Sequence, residues 1–232
     1  YITGYYTSSA VFGSYTLNGN PGIHIFIAKY NSSGECIWAK SEGDNVAKGK
    51  KIAVDNSGNI YVGGEYAFEI TIGTTTLPPC IANFDIFLAK YSTSGGFLWA
   101  VGGGGNTNDN CTGIAVDASG NVYLNCFIRG TVHFSNNMFF SNTLDDNCVY
   151  VKYSSSGSFI WGFKESFSEI STSTGISVDA NSNCYTLCTN GIKKHDTFGG
   201  LVWEKQFFTD NTIIARGLRT DIFGNNYICG YF

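Results

Sequence analysis

Between Ile52 and Val101 apolar and polar positions alternate with a period of two, in short runs broken by Gly, Asp, Asn and Ser. They resolve into four strands: A over Ile52 to Asp55, B over Asn59 to Tyr66, C over Asp85 to Tyr91 and D over Gly96 to Val101. The breaks have a mechanism. In Asp55 to Asn59 an aspartate can accept hydrogen bonds from the amides just ahead of it while Gly58 supplies a positive φ, and Lys29 to Gly34 does the same between C and D. Strand D sets Ile37 and Ala39 on one face and Cys36 and Trp38 on the other. A sheet that is apolar on both faces has to be sandwiched between neighbours.

The same pattern returns along the chain. Ile52-Ala53-Val54-Asp55-Asn56-Ser57-Gly58-Asn59-Ile60-Tyr61-Val62 recurs as Ile114-Ala115-Val116-Asp117-Ala118-Ser119-Gly120-Asn121-Val122-Tyr123-Leu124, and more loosely around Asp179 and Asp221. Phe26-Ile27-Ala28-Lys29-Tyr30 with Ile37-Trp38-Ala39 recurs with Trp99, with Trp161 and, as Lys193-Lys194-His195, with Trp203. The four Trp are 61, 62 and 42 residues apart, and Asp55, Asp117, Asp179 and Asp221 are 62, 62 and 42 apart. The unit is therefore about 42 residues of four strands. The longer copies carry a hairpin-sized insertion, at Tyr6 to Ile23, Tyr66 to Phe84 and Ile128 to Cys148, that the last copy lacks between Thr186 and Lys193. Stacked four-stranded units of that length predict an all-β fold, a β-propeller-type array of antiparallel blades. The repeats run roughly 1–55, 56–117, 118–179 and 180–221, with a further one beginning at 222–232. Gly63, Gly64, Ala53 and Ala115 would suit its crowded interior.

The motif I-A-V-D-x-S-G-N-[IV]-Y-[VL], followed by F-[IL]-A-K-Y and [IL]-W-A, resembles the bacterial β-propeller repeat family known as SBBP, a relative of the NHL-type propellers. The resemblance covers nearly the whole chain and is strongest in the first two copies. It implies a secreted or cell-surface protein of adhesin-like character and no shared catalytic residue. Lys193-Lys194-His195 departs from the pattern and predicts an irregular fourth blade.

Counting strands adds an inference of its own. A, C and D each occur four times, but B occurs five times, because Tyr1 to Tyr6 and Asn226 to Phe232 both read as B. Either these residues are a window on a longer array that closes at about six to eight blades, or the spare strand pairs with a second copy in a head-to-tail fibre.

Composition narrows the function classes. Charged residues are 14% and the net charge is -4, with Lys and Arg scattered singly, which leaves no basic stripe for nucleic acid. Runs such as Ile25 to Ala28 are far shorter than the roughly 20 apolar residues of a membrane span, so no membrane insertion is expected. The chain opens without Met, n-region or h-region, as a mature or excised segment would.

Candidate chemistry is sparse. The eight Cys (Cys36, Cys80, Cys111, Cys126, Cys148, Cys184, Cys188 and Cys229) follow no Cys-x-x-Cys spacing; an even count in a secreted-type chain favours disulfides, with buried thiols as the alternative. The Asp turns offer one carboxylate each, fewer than calcium requires, and read as Asx turns. Asn31-Ser32-Ser33 and Asn110-Cys111-Thr112 are glycosylation patterns placed in loops. His24, His133 and His195 are isolated, Asp145-Asp146 reads as solvated, and the Gly102 to Gly105 run has no helix behind it to cradle phosphate. No catalytic, metal or cofactor site is expected. The function that follows is a non-catalytic extracellular scaffold for adhesion, display or fibre assembly, with other proteins, copies of itself or glycans as partners. A carbohydrate- or peptide-binding propeller using its insertion loops is the alternative, and a propeller hydrolase or lyase a more distant one. Exposure of Phe134, Phe139 and Phe140 would favour binding, and their burial would favour the scaffold.

Overall fold

The computed structural model describes residues 1–80, 84–135, 137–140, 146–165, 173–188, 191–207 and 214–231. Every regular element among them is a strand. The first unit holds β1 (Ile2–Tyr6), the hairpin β2 (Ser9–Phe12) and β3 (Tyr15–Asn18), then β4 (His24–Tyr30) and β5 (Cys36–Glu42). The second holds β6 (Val46–Val54), β7 (Ile60–Ala67), the hairpin β8 (Ile70–Ile72) and β9 (Thr75–Leu77), β10 (Asp85–Tyr91) and β11 (Phe97–Gly105). The third holds β12 (Asn110–Val116), β13 (Val122–Arg129), the hairpin β14 (Thr131–Phe134) and β15 (Asn137–Phe140), β16 (Asp146–Tyr153) and β17 (Phe159–Glu165). The fourth holds β18 (Ser173–Val178), β19 (Cys184–Cys188), β20 (Gly191–His195) and β21 (Leu201–Gln206), and a fifth begins with β22 (Ile214–Thr220) and β23 (Asn226–Tyr231).

The three middle units form antiparallel sheets in the order A-B-C-D, namely β6-β7-β10-β11, β12-β13-β16-β17 and β18-β19-β20-β21. The flanking ones are partial, β1-β4-β5 lacking an A strand and β22-β23 lacking C and D. The fourth blade is regular, which corrects the irregularity expected from its altered motif. Its bulge at Lys194/His195 matches those at Lys29/Tyr30, Lys90/Tyr91 and Lys152/Tyr153. Backbone pairing sets this register, and His195 fills the Tyr position at 3% exposure with its ring 4.5 Å from Phe163.

The core lies between blades. Ile25 and Ile27 of the first unit pack with Val62 and Phe87 of the second; Tyr61, Ile86 and Leu88 pack with Val122, Leu124 and Val149 of the third; Tyr123 and Tyr150 pack with Ile176 and Cys184 of the fourth. A smaller cluster joins Tyr185 and Leu187 to Leu218 of the fifth. Each fully buried side chain of this size contributes roughly 1.5–3 kcal/mol. Close approach explains Gly63 on β7: a Cβ there would stand 2.8 Å from Cys111 Sγ of the next blade.

The insertions are hairpins, and they are not alike. Ile70, Ile72 and Leu77 of the second plug the core. The third reaches back to the preceding blade, where β14 adds to the outer edge of β11 through Gly103↔Phe134, Gly104↔His133 and Gly105↔Val132. This accounts for the Gly102 to Gly105 run, because strand D continues through it and the missing side chains let β14 lie close.

Candidate functional site

The repeated polar residues meet at the seams between blades. At each A–B turn the Asp carboxylate is saturated by donors. Asp55 Oδ1 accepts from the amides of Ser57 and Asn59, both at 2.9 Å, and Oδ2 from Asn59 Nδ2 at 2.8 Å and the Tyr61 hydroxyl at 3.2 Å. Asp117, Asp179 and Asp221 repeat the set with Asn121 and Tyr123, Asn183 and Tyr185, and Asn225 and Tyr227. Burial alone would raise the Asp55 and Asp179 carboxyls, yet these hydrogen bonds hold both below the usual range. Such turns are staples, with no carboxylate oxygen left for a cation.

The Tyr hydroxyl is also the first cross-blade contact. Tyr61 stands 2.9 Å from the carbonyl of Gly120 in the next A–B turn, and Tyr123 stands 3.1 Å from that of Ser182. Lys of strand C is the second. Lys90 Nζ lies 4.9 Å from the Tyr61 ring centre and donates to Ser155 O at 2.9 Å in the next C–D turn; Lys152 lies 4.7 Å from Tyr123 and donates to Thr197 O at 3.3 Å. Burial pulls both lysines below their usual range, against the raising charge of Asp55 or Asp117. Trp of strand D is the third contact. Trp99 Nε1 donates to Ser155 O at 3.1 Å and Trp161 Nε1 to Thr197 O at 3.0 Å. The indole also covers a glycine of the same turn: a Cβ on Gly95, Gly157 or Gly199 would stand 3.3, 2.9 or 3.3 Å from Trp38, Trp99 or Trp161. All three glycines have φ near +85°, so the position is doubly restricted.

At the two ends of the array this arrangement is half-made. Trp203 keeps its edge contact with Tyr185 at 6.0 Å but has no following C–D turn to cover. Tyr227 is 63% exposed where Tyr61, Tyr123 and Tyr185 are buried. At the other end, a Cβ on Gly34 would meet nothing within 4 Å.

Other sequence-derived candidates fall elsewhere. Asn31 closes the first C–D turn, accepting from the amides of Ser33 and Glu35 and donating to the Glu35 carboxylate at 2.8 Å. Asn110 opens inner strand β12, paired with Phe127, and so is not in a loop. Phe134 is buried at 1% exposure; the side chains of Phe139 and Phe140, with Asp145, lie outside the described residues. The disulfide expectation is corrected, since none of the eight cysteines forms a disulfide. Cys184 and Cys188 share a face of β19 but sit four residues apart, roughly 13 Å, too far to bridge. Cys111 and Cys126 oppose one another across β12 and β13 at a bulge, and burial pushes the Cys111 thiol up to about 12, so it is no nucleophile at neutral pH. His195 faces Cys184 across the ladder and lies 3.4 Å from Glu165, but all three are buried away from any substrate.

Sequence reasoning missed a buried carboxyl. Asp109 precedes β12 at 1% exposure, and burial pushes it up to about 7, with Asp85 adding to the rise. No repeat spacing marks it, because it belongs to one seam only.

Residues 42–65 match the family model of the SBBP beta-propeller repeat. The chain is 23% identical over 214 residues to an uncharacterized WD repeat-containing protein, L264, of Acanthamoeba polyphaga mimivirus, covering 84% of this chain and 13% of that protein. It is 30% identical over 125 residues to the regulatory protein FlaEY of Caulobacter vibrioides, covering 50% of this chain and 13% of that one. The chain thus spans about an eighth of the length of either relative. A crystal structure of a protein of unknown function from Bacteroides caccae superposes with a TM-score of 0.50 at 9% identity, over 97% of this chain and 64% of that one. Blades of one strand order and seams built from the repeated Asp, Tyr, Lys and Trp make this chain a β-propeller-type repeat array, in which residues 42–65 match the SBBP repeat.

Proposed function

We propose that the chain is a non-catalytic repeat scaffold, extracellular or surface-bound, whose blade faces join it to further blades. One observation carries this reading: the repeated polar residues are consumed in holding one blade to the next, and the members left without a neighbouring blade lie at the two ends of the array. Trp203 and Lys194 at one end have the donors that a following C–D turn accepts, Tyr227 has the hydroxyl that a following A–B turn accepts, and the Asn31 to Gly34 turn at the other end has the form of the C–D acceptor. β1 and β23 also leave a ladder edge unpaired, and such an edge takes up a further strand of the same or another polypeptide. The placement outside the cell rests on the repeat's resemblance. The alternative of ligand capture by insertion loops is less favoured because Ile70, Ile72, Leu77, Val132 and Phe134 turn inward.

Sedimentation velocity over a wide concentration range tests the reading. Concentration-dependent association that Trp203→Ala weakens is the expected result. A chain that stays monomeric throughout, or associates equally well with Trp203→Ala, would remove the end faces from the argument.

A further inference from the structure

Inner strands β6, β12, β18 and β22, with β23, line an open cavity of about 550 Å³. That volume suits a small molecule. Its walls include Ile52, Ile114, Ile176 and Leu218, one from each of the four inner strands, and its charged lining is wholly cationic: Lys51 from β6, and Arg216 and Arg219 from β22. Apart from the bridge of Ile23 to Val46 on β6, the inner strands are paired on one side only, which leaves backbone groups along their inner edges.

The blade architecture does not require these cations. Each inner strand carries the same bulge, at Gly49/Lys51, Cys111/Gly113, Ser173/Gly175 and Ala215/Gly217. In that register Lys51 stands where later units have Gly113, Gly175 and Gly217, Arg219 stands where earlier units have Ala53, Ala115 and Ser177, and Arg216 stands where the others have Lys50, Thr112 and Thr174. Small neutral residues serve at every counterpart of Lys51 and Arg219 and at two of the three counterparts of Arg216, the third being Lys50, which is held by Glu65. The chain also has a net charge of -4 and only three arginines, Arg129 being the third, so two of the three are gathered here.

Nor are the charges spent on neighbours. Lys48 and Lys50, beside Lys51 in sequence, share the Glu65 carboxylate at 3.1 and 3.2 Å. Among the described residues no carboxylate pairs with Lys51, Arg216 or Arg219. Arg219 Nη1 donates to the Leu218 carbonyl at 2.9 Å, while Arg216 lies 5.6 Å from the Tyr231 ring centre with Nη2 donating to its hydroxyl at 3.1 Å. Both contacts orient a guanidinium and leave other N–H donors free.

We propose that this cavity binds a small, multiply charged oxyanion. Arg216 and Arg219 would take its charged oxygens in the forked geometry that guanidinium gives to carboxylate and phosphate alike, and Lys51 would close on it from β6. The apolar walls take the uncharged body of the ligand. This goes beyond the scaffold reading, which uses the seams and end faces and needs no occupant on the axis.

Titration calorimetry at low ionic strength with citrate and with pyrophosphate tests it, on the full chain and on Lys51→Gln, Arg216→Gln, Arg219→Gln and the exposed-strand control Lys205→Gln. Saturable binding of at least one probe is expected, weakened roughly tenfold by each cavity substitution and by less than about twofold in the control. All four side chains are exposed, so the fold should persist, which circular dichroism checks. Tighter binding of citrate assigns carboxylates, and tighter binding of pyrophosphate assigns phosphates. Absence of binding by both probes, or equal weakening by Lys205→Gln, overturns the site.

Discussion

Replacing Trp99 by Ala and comparing the cost with the same change at Trp203 isolates what one blade contributes to the next. Trp99 touches its own blade through Tyr61, with ring centres 6.2 Å apart, and the following blade through Ser155 O and Gly157. Losing about 100 Å² of apolar contact costs about 2.5 kcal/mol at the usual coefficient, and the indole hydrogen bond adds about 1 kcal/mol. Ser155 O is not orphaned, because Lys90 still donates to it at 2.9 Å, so no further desolvation cost arises. The sum is about 3.5 kcal/mol. Trp203 has the Tyr185 contact at 6.0 Å but no turn to cover, so its loss should cost about 1 kcal/mol. For a chain of this length 1 kcal/mol moves the melting temperature by about 2–4 °C, which separates a fall of about 7–14 °C from one of about 2–4 °C. Thermal melts followed by circular dichroism read the difference. Equal falls for Trp99→Ala and Trp203→Ala would refute the claim that the indole's main partner is the next blade.

The same seam predicts that Gly157→Ala costs about 1 kcal/mol or more beyond Gly34→Ala in urea titrations. Both have a φ of about +80 to +85°, but only at Gly157 does a Cβ meet an indole, 2.9 Å away. Ser182 holds φ +62 where its counterparts are Gly58, Gly120 and Gly224, so Ser182→Gly should raise the melting temperature, corresponding to about 0.5–1 kcal/mol, while leaving its carbonyl to Tyr123. Asp109 gives a pH dependence. Burial pushes its folded pKa up to about 7, above the ordinary aspartate value of about 3.9, so between these values the folded chain binds the extra proton and stability falls as pH rises from about 4 to about 7, by at most about 4 kcal/mol. Asp109→Asn should flatten that slope in urea titrations at pH 4.5 and 8; an unchanged slope would place the titration elsewhere.

Much of the fold is legible because a repeat constrains itself. The 62-residue spacing of Asp55, Asp117 and Asp179 fixes the unit, and the 42-residue step to Asp221 exposes the insertions as removable hairpins. What a hairpin packs against is not legible, since it depends on tertiary contact: Gly102 to Gly105 reads as a loop until β14 is seen beside it. His195 misled for a related reason. A strand's register is held by its backbone ladder, and one altered side chain leaves the pairing with Cys184 and Leu201 intact.

The cysteines and the axial cations mark the limit of reading residue types without positions. An even count of Cys argues for bridges only if partners can come within about 7 Å with converging Cβ vectors, and strand positions four apart cannot. Arg216 and Arg219 look scattered in sequence, and only the shared bulge of the four inner strands brings them round to the same space as Lys51. The repeated residues serve the seam, where each unit makes the same demand, so their partners follow from the period. Residues that break the period answer to no such demand. When they are charged, lack a carboxylate partner and line one cavity, an anion bound there would give them the counter-charge that the blades do not.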